Sequence, residues 1–166
     1  MRVKGIEKKI YICLILVLID VFVKVVIDMS YMSKKVLVND KLGFYPFLNV
    51  DQLSIFNNEL DLNVSLAFLI FINILFIIFI CALIYMHHKK SENTSQFMFW
   101  GLYLILAGTV CSLIDKVFWG GSLDYILIGS KIVDLKDIYM CIGFCIYLVF
   151  TLHQEYKQVM KKRGFK

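Results

Sequence analysis

Four apolar stretches, each about twenty residues long, dominate this 166-residue chain and leave few folds open to it. They cover roughly residues 10–29, 65–86, 97–118 and 133–152. A hydrocarbon layer about 30 Å thick takes roughly 20 residues of helix to cross. A backbone in lipid must satisfy its polar groups within the segment, so each stretch is predicted to be helical despite its Val and Ile content. Apolar residues make up 60% of the chain and mean hydropathy is +0.74, which leaves little sequence for a soluble core. The expected fold is all-α and integral to a membrane, a single domain over residues 1–166 with four transmembrane helices.

The net charge of +5 acquires meaning once the basic residues are placed. Eleven of the eighteen Lys and Arg residues lie before the first span, at Lys89 and Lys90, or in the tail after the fourth. That asymmetry predicts cytoplasmic termini and outward connections at 30–64 and 119–132. No basic stripe interleaved with aromatics is present, so nucleic acid is not an expected partner. The first connection holds the only proline, Pro46, and alternates short apolar pairs with Asn, Asp and Lys. A small element on the outer membrane surface is expected there. Residues 91–96 read as a short polar cytoplasmic turn. No small-x-small cleavage pattern closes the first thirty residues, and Asp20 and Lys24 interrupt their far end, so they read as a retained span. Cys13, Cys81, Cys111, Cys141 and Cys145 are odd in number and all lie in apolar runs. They are expected to be packing residues, with neither disulfides nor a metal site.

Ionisable groups in or beside a span are costly and mark function. Asp20 and Lys24, one turn apart, end the first span; Asp115 and Lys116 close the third; Asp137 opens the fourth. All fall at one predicted membrane depth, near the outer face. Simpler roles exist for some. Asp20 and Lys24 could neutralise each other along one helix face. Asp134 suits an N-cap, and Asp137 could complement a helix dipole. Asp115 lies at the dipole end that disfavours a carboxylate. Asp115 and Asp137 together suggest aspartic catalysis, in which one carboxyl holds a proton while the other activates water. The helix-end environments suggest that Asp115 keeps the proton and Asp137 carries the charge, although the titration belongs to the pair.

The third span ends Ala107-Gly108-Thr109-Val110-Cys111-Ser112-Leu113-Ile114-Asp115-Lys116 and continues Val117-Phe118-Trp119-Gly120-Gly121-Ser122-Leu123-Asp124-Tyr125. This resembles the lipoprotein signal peptidase (signal peptidase II) signature G-x-x-G-N-L-I-D-R-x-x-x-G-x-x-x-D-F. Asp115 falls on the first catalytic aspartate, and Gly108, Gly120 and Asp124 on matching positions. Val133-Asp134-Leu135-Lys136-Asp137 is similar to the family's F-N-x-A-D box, which places Asp137 on the second catalytic aspartate. Asp20 and Lys24 match a D-x-x-x-K pattern, and Asn63-Val64-Ser65-Leu66-Ala67-Phe68 is similar to N-x-G-x-A-F. There are departures. Cys111 and Ser112 stand for Gly-Asn, Lys116 for Arg, Ser65 for Gly, Asp134 for Asn and Lys136 for Ala. Ser112 and Asp134 remain polar and able to hydrogen-bond.

The resemblance implies an aspartic endopeptidase of a bacterial cell membrane, with its active site near the extracytoplasmic face and no cofactor or metal. It would cleave diacylglyceryl-modified prolipoproteins just before the lipidated cysteine, acting as a monomer in contact with membrane lipid. Asp20, Lys24, Asn63, Gly108, Ser112, Lys116, Gly120, Asp124 and Asp134 would position substrate or support the site. Rival readings are a Ser112–Lys116 protease, a degenerate homologue that binds lipidated signal peptides without cutting them, and a small proton- or ion-handling membrane protein. A cysteine–histidine mechanism fails because Cys111 and the histidines fall near opposite faces.

Overall fold

The computed structural model describes residues 2–39, 41–50, 64–90 and 96–162. Its helices are α1 (Arg2–Ser30), α2 (Leu66–Lys90), α3 (Gln96–Phe118) and α4 (Leu135–Lys162). Each contains a segment long and apolar enough to cross a membrane: Glu7–Ser30, Leu66–Lys89, Gln96–Phe118 and Leu135–Lys162. The four expected spans are therefore present, with the first and last extending further than their apolar runs. Asn63 and most of the expected polar turn at 91–96 lie outside the described residues.

The all-α expectation needs correction. The two connections expected to face outward supply a four-stranded antiparallel sheet in the order β1 (Val36–Asn39), β2 (Leu42–Asn49), β3 (Ser122–Ile128) and β4 (Lys131–Val133). The central pair runs from Leu42 opposite Ile128 to Asn49 opposite Ser122. Its register shifts between Phe44 and Phe47, where the ladder passes Pro46, a residue with no amide hydrogen to donate. The element expected on the surface in the first connection is thus, in its described part, the β1–β2 hairpin. Val133, assigned from sequence to the fourth span, belongs to β4, and the helix starts at Leu135.

The sheet is held on the bundle by a small core in which Ile27 of α1 packs with Leu123 and Tyr125 of β3. A second core lies between the helices. Leu102, Tyr103, Ile105 and Ala107 of α3 meet Cys13 of α1 and Ile80 and Ile84 of α2. The outer faces of α1, α2 and α4 expose many Leu, Ile and Phe side chains, as lipid-facing helices do.

Two glycines shape the approach to the site. A Cβ on Gly108 would lie 2.3 Å from Met140 Cγ and 2.9 Å from the Lys136 carbonyl oxygen, so Gly108 lets α3 and α4 touch where α4 begins. Gly120 has φ of 66°, the left-handed conformation that turns the chain from α3 into β3.

Candidate active site

Four pieces of backbone bring their charges to one place. The C-terminal half of α1 carries Asp20 and Lys24, and the last turns of α3 carry Ser112, Asp115 and Lys116. Beyond the Gly120 turn, alternate β3 residues Ser122 and Asp124 share a face. The cap and first turn of α4 carry Asp134, Lys136 and Asp137.

Asp134 is the N-cap expected from sequence. Its Oδ1 accepts the amide of Asp137 at 3.1 Å, while Asp137 Oδ2 accepts the amide of Asp134 at 3.3 Å. This reciprocal pair has the form of a capping box, with aspartate in the place usually held by Glu or Gln. It fixes Asp137 on the first turn and leaves Oδ1 for other work.

Two buried ammonium groups hold the carboxylates together. Lys24 Nζ lies 3.0 Å from Asp20 Oδ2, 2.6 Å from Asp115 Oδ2 and 2.6 Å from Asp134 Oδ2. Asp20 and Lys24 do pair along α1 as expected, but the lysine also ties α1 to α3 and to the α4 cap. Lys136 Nζ pairs with Asp134 Oδ2 and lies 3.1 Å from Asp115 Oδ2, 3.5 Å from Asp124 Oδ1 and 4.0 Å from Asp137 Oδ1. It also donates to Ser122 Oγ at 2.5 Å, and Ser122 donates to Asp124 Oδ1 at 2.7 Å. Burial pushes the Asp134 carboxyl up, but the ammonium groups of Lys136 and Lys24 outweigh it and hold the group below its ordinary value. At Asp124 burial wins, and its carboxyl lies above the ordinary value against the pull of Lys136 and the Ser122 hydroxyl.

Beside this cluster lies a cleft of about 420 Å³ lined by Asp137, Lys136, Asp124, Ser112 and Lys116, with an apolar wall from α2 that includes Leu69 and Phe76. The Asp137 side chain is 37% exposed, whereas Asp115 is fully buried and is not part of the lining. Carboxylate oxygens of Asp124, Asp134 and Asp137 lie within 4.8 Å of one another, a spacing a cation could bridge, and the Lys136 ammonium reaches all three.

Ser112 and Lys116 form a separate local group. Lys116 Nζ donates to Ser112 Oγ at 2.7 Å and to the Ser112 carbonyl at 3.3 Å, and Asn73 Nδ2 donates to the same hydroxyl at 3.0 Å. Ser65, where the family pattern has Gly, caps α2 by accepting the Phe68 amide at 3.3 Å. The histidines stay away: His88 stacks on Phe99 in the first turn of α3, twelve residues and about 18 Å along the helix from Cys111.

Of the residues singled out in the sequence, Asp20, Lys24, Asp115, Asp124, Asp134 and Asp137 meet in one network, while Gly108 and Gly120 shape its walls. Three polar residues of the site had not been singled out. Ser122 begins an alternating strand pattern beside Asp124. Asn73 is a lone amide within an apolar run, the kind of intramembrane polar group that marks function. Asn49 lines the cleft from the end of β2.

The model of the family described as signal peptidase (SPase) II matches residues 12–153. Two solved structures share the fold, both described as bacterial membrane enzymes determined by the in meso method, at 2.3 Å and 1.9 Å resolution. The first is 20% identical, covers 90% of each chain and has a TM-score of 0.70; the second is 20% identical, covers 87% of this chain and 92% of its own, and has a TM-score of 0.68. No curated protein sequence matches the chain. With its aspartates and all four sequence boxes inside the matched region, and all four apolar helices touched by it, this membrane protein belongs to the signal peptidase II family of aspartic peptidases.

Proposed function

We propose that this enzyme hydrolyses the peptide bond just before the lipidated cysteine of diacylglyceryl-modified prolipoproteins. The observation that carries the reading is the placement of Asp137 at a cleft with a polar floor and an apolar α2 wall. A substrate made of a signal helix, a scissile bond and two acyl chains needs both surfaces at once. The signal helix and acyl chains would approach sideways through lipid, against α2, while the bond to be cut meets the charged floor.

Asp137 is the partly exposed carboxylate of the pair and the one able to reach water. It would take a proton from the attacking water and later return it to the leaving nitrogen. Asp115, the other aspartate of the proposed catalytic pair, is buried behind it. Lys24, Asp20 and Asp134 brace Asp115 from α1 and the α4 cap. Gly108 and Gly120 set helix spacing and strand entry, and Ser112, Lys116 and Asp124 line the substrate cleft. Asn63 is assigned to the substrate side by the family pattern alone.

The distribution of Lys and Arg supports cytoplasmic termini and an active site at the extracytoplasmic face of a bacterial cell membrane. We assign the working form as a monomer, with lipidated precursor as its partner.

Purified protein in nanodiscs should cleave a diacylglyceryl-modified prolipoprotein and leave its unlipidated form largely intact. Tight binding of the lipidated precursor without product would mean a homologue that has lost its chemistry. Proton flux in liposomes without peptide cleavage would favour an ion-handling role.

A further inference from the structure

We infer that Asn73 is a positioning residue of this peptidase: from α2 it supplies the carboxamide that the family signature carries on α3, and it acts through Ser112 on the Lys116 ammonium. The inference rests on the proposed peptidase reading and deepens it.

Its place in the sequence is the first reason. From Leu66 to Ile84, Asn73 is the only residue with an amide, hydroxyl or charged side chain. A carboxamide inside a span is costly unless it is hydrogen-bonded, so an isolated one needs a reason. Asn73 lines the cleft together with Ser112 and Lys116, on the wall that the signal helix of a precursor would approach.

The second reason is what it holds. Asn73 Nδ2 donates to Ser112 Oγ at 3.0 Å, and Lys116 Nζ donates to the same oxygen at 2.7 Å. A hydroxyl oxygen accepts two hydrogen bonds, so both of its acceptor positions are taken and its direction is set by α2. The other bond of Lys116 goes to the Ser112 carbonyl at 3.3 Å, on its own helix. An ammonium has three hydrogens, and the third has no partner among the described residues. Lys116 is therefore steered through one serine, and Asn73 steers that serine. The remaining N–H is left for a main-chain carbonyl of the precursor.

The third reason is the departure from the signature. The pattern carries Asn three residues before its first catalytic aspartate, and this chain has Ser112 there. A serine hydroxyl stops one bond short of the polar atoms of an asparagine. The Asn73 amide, 3.0 Å beyond that hydroxyl, fills the gap from across the cleft. The contact leaves no room for a second carboxamide, so the two arrangements exclude each other. The device belongs to this chain and leaves the roles of Asp115 and Asp137 unchanged.

The test is a double-mutant cycle on full-length protein in nanodiscs: wild type, Asn73→Ala, Ser112→Asn and the two combined. One diacylglyceryl-modified prolipoprotein serves as substrate, with kcat, KM and the Kd for precursor measured separately. A hydrogen bond to a charged group is worth about tenfold in binding. Asn73→Ala should raise KM and Kd by about that factor, with kcat within about threefold. Ser112→Asn should weaken binding in wild type, where the carboxamides collide, and restore it to within about threefold of wild type in Asn73→Ala. A reversal of sign of this kind is not given by a residue that only packs. Thermal unfolding checks each variant, and Asn73→Ser replaces the alanine variant if that one does not fold. Wild-type binding in Asn73→Ala, or a combined variant no better than Asn73→Ala alone, would overturn the proposal and leave the peptidase reading intact. Wild type that binds precursor without cutting it would overturn the peptidase reading, and the Kd values would still decide the place of the carboxamide.

Discussion

Lys24 of α1 and Asp115 of α3, ninety-one residues apart in sequence, are joined by a 2.6 Å contact with both side chains fully buried. The same ammonium reaches Asp20 and Asp134, so one lysine neutralises carboxylates from α1, α3 and the α4 cap. Removing one member of such a cluster leaves buried charge without compensation, which costs about 3–5 kcal/mol. Lys24→Met should therefore lower stability by about that amount, measured by denaturant titration in bicelles. An effect within about 0.5 kcal/mol, the range of an ordinary surface substitution, would mean the cluster is not held by Lys24.

Asp134 gives the cluster a pH response. Its carboxyl is held below the ordinary value of 3.8. A depressed folded-state value contributes stability that is complete above the unfolded value and is lost as pH falls through the folded one. Thermal unfolding of wild type should show this loss on acidification below about pH 4. Asp134→Asn should be less stable at neutral pH and show a flatter acid limb. An unchanged acid limb would assign the response to other groups.

Ser112 and Lys116 have the geometry of a serine–lysine pair, at 2.7 Å, yet Ser112 Oγ is also held by Asn73 at 3.0 Å. In an aspartic enzyme that hydroxyl orients groups at the cleft wall and does not attack. Ser112→Ala should reduce kcat/KM by less than about tenfold, whereas loss of a true nucleophile costs several orders of magnitude. Complete loss in a folded Ser112→Ala variant would revive the serine mechanism.

Gly108→Val tests the helix contact that places Lys136. The new Cβ would meet Met140 at 2.3 Å and the Lys136 backbone oxygen at 2.9 Å. The Met140 side chain can swing aside, but the backbone cannot without moving the first turn of α4. Overpacking of this kind costs about 1–3 kcal/mol, and activity should fall further than stability because Lys136 and Asp137 ride on the displaced turn. Activity equal to wild type would show that the first turn of α4 tolerates the shift.

Much of this was legible in the sequence because the solvent imposes it. Four runs long enough to cross lipid could be read by length, and Asp20, Lys24, Asp115 and Asp137 stood out because charge at such depth needs a reason. Asp134 was readable as a cap from its place before the fourth apolar run. The sheet was not, because its strands are 3 to 8 residues long, come from separate connections, and acquire their partners only when α1 packs against α3 and brings those connections together. Lys136 was visible only as a departure from a pattern. Its contacts with Asp115 and Asp137 depend on distances that residues on α3 and α4 acquire by folding.

The most direct test is product analysis by mass spectrometry on a diacylglyceryl-modified prolipoprotein, with wild type, Asp137→Asn and Asp115→Asn in nanodiscs. Wild type should release a signal peptide ending immediately before the lipidated cysteine, and both variants, folded by thermal unfolding, should lose at least about a thousandfold in rate, consistent with loss of an essential catalytic group. Cleavage at the same bond by Asp137→Asn at a rate near wild type would contradict an aspartic peptidase built around Asp137.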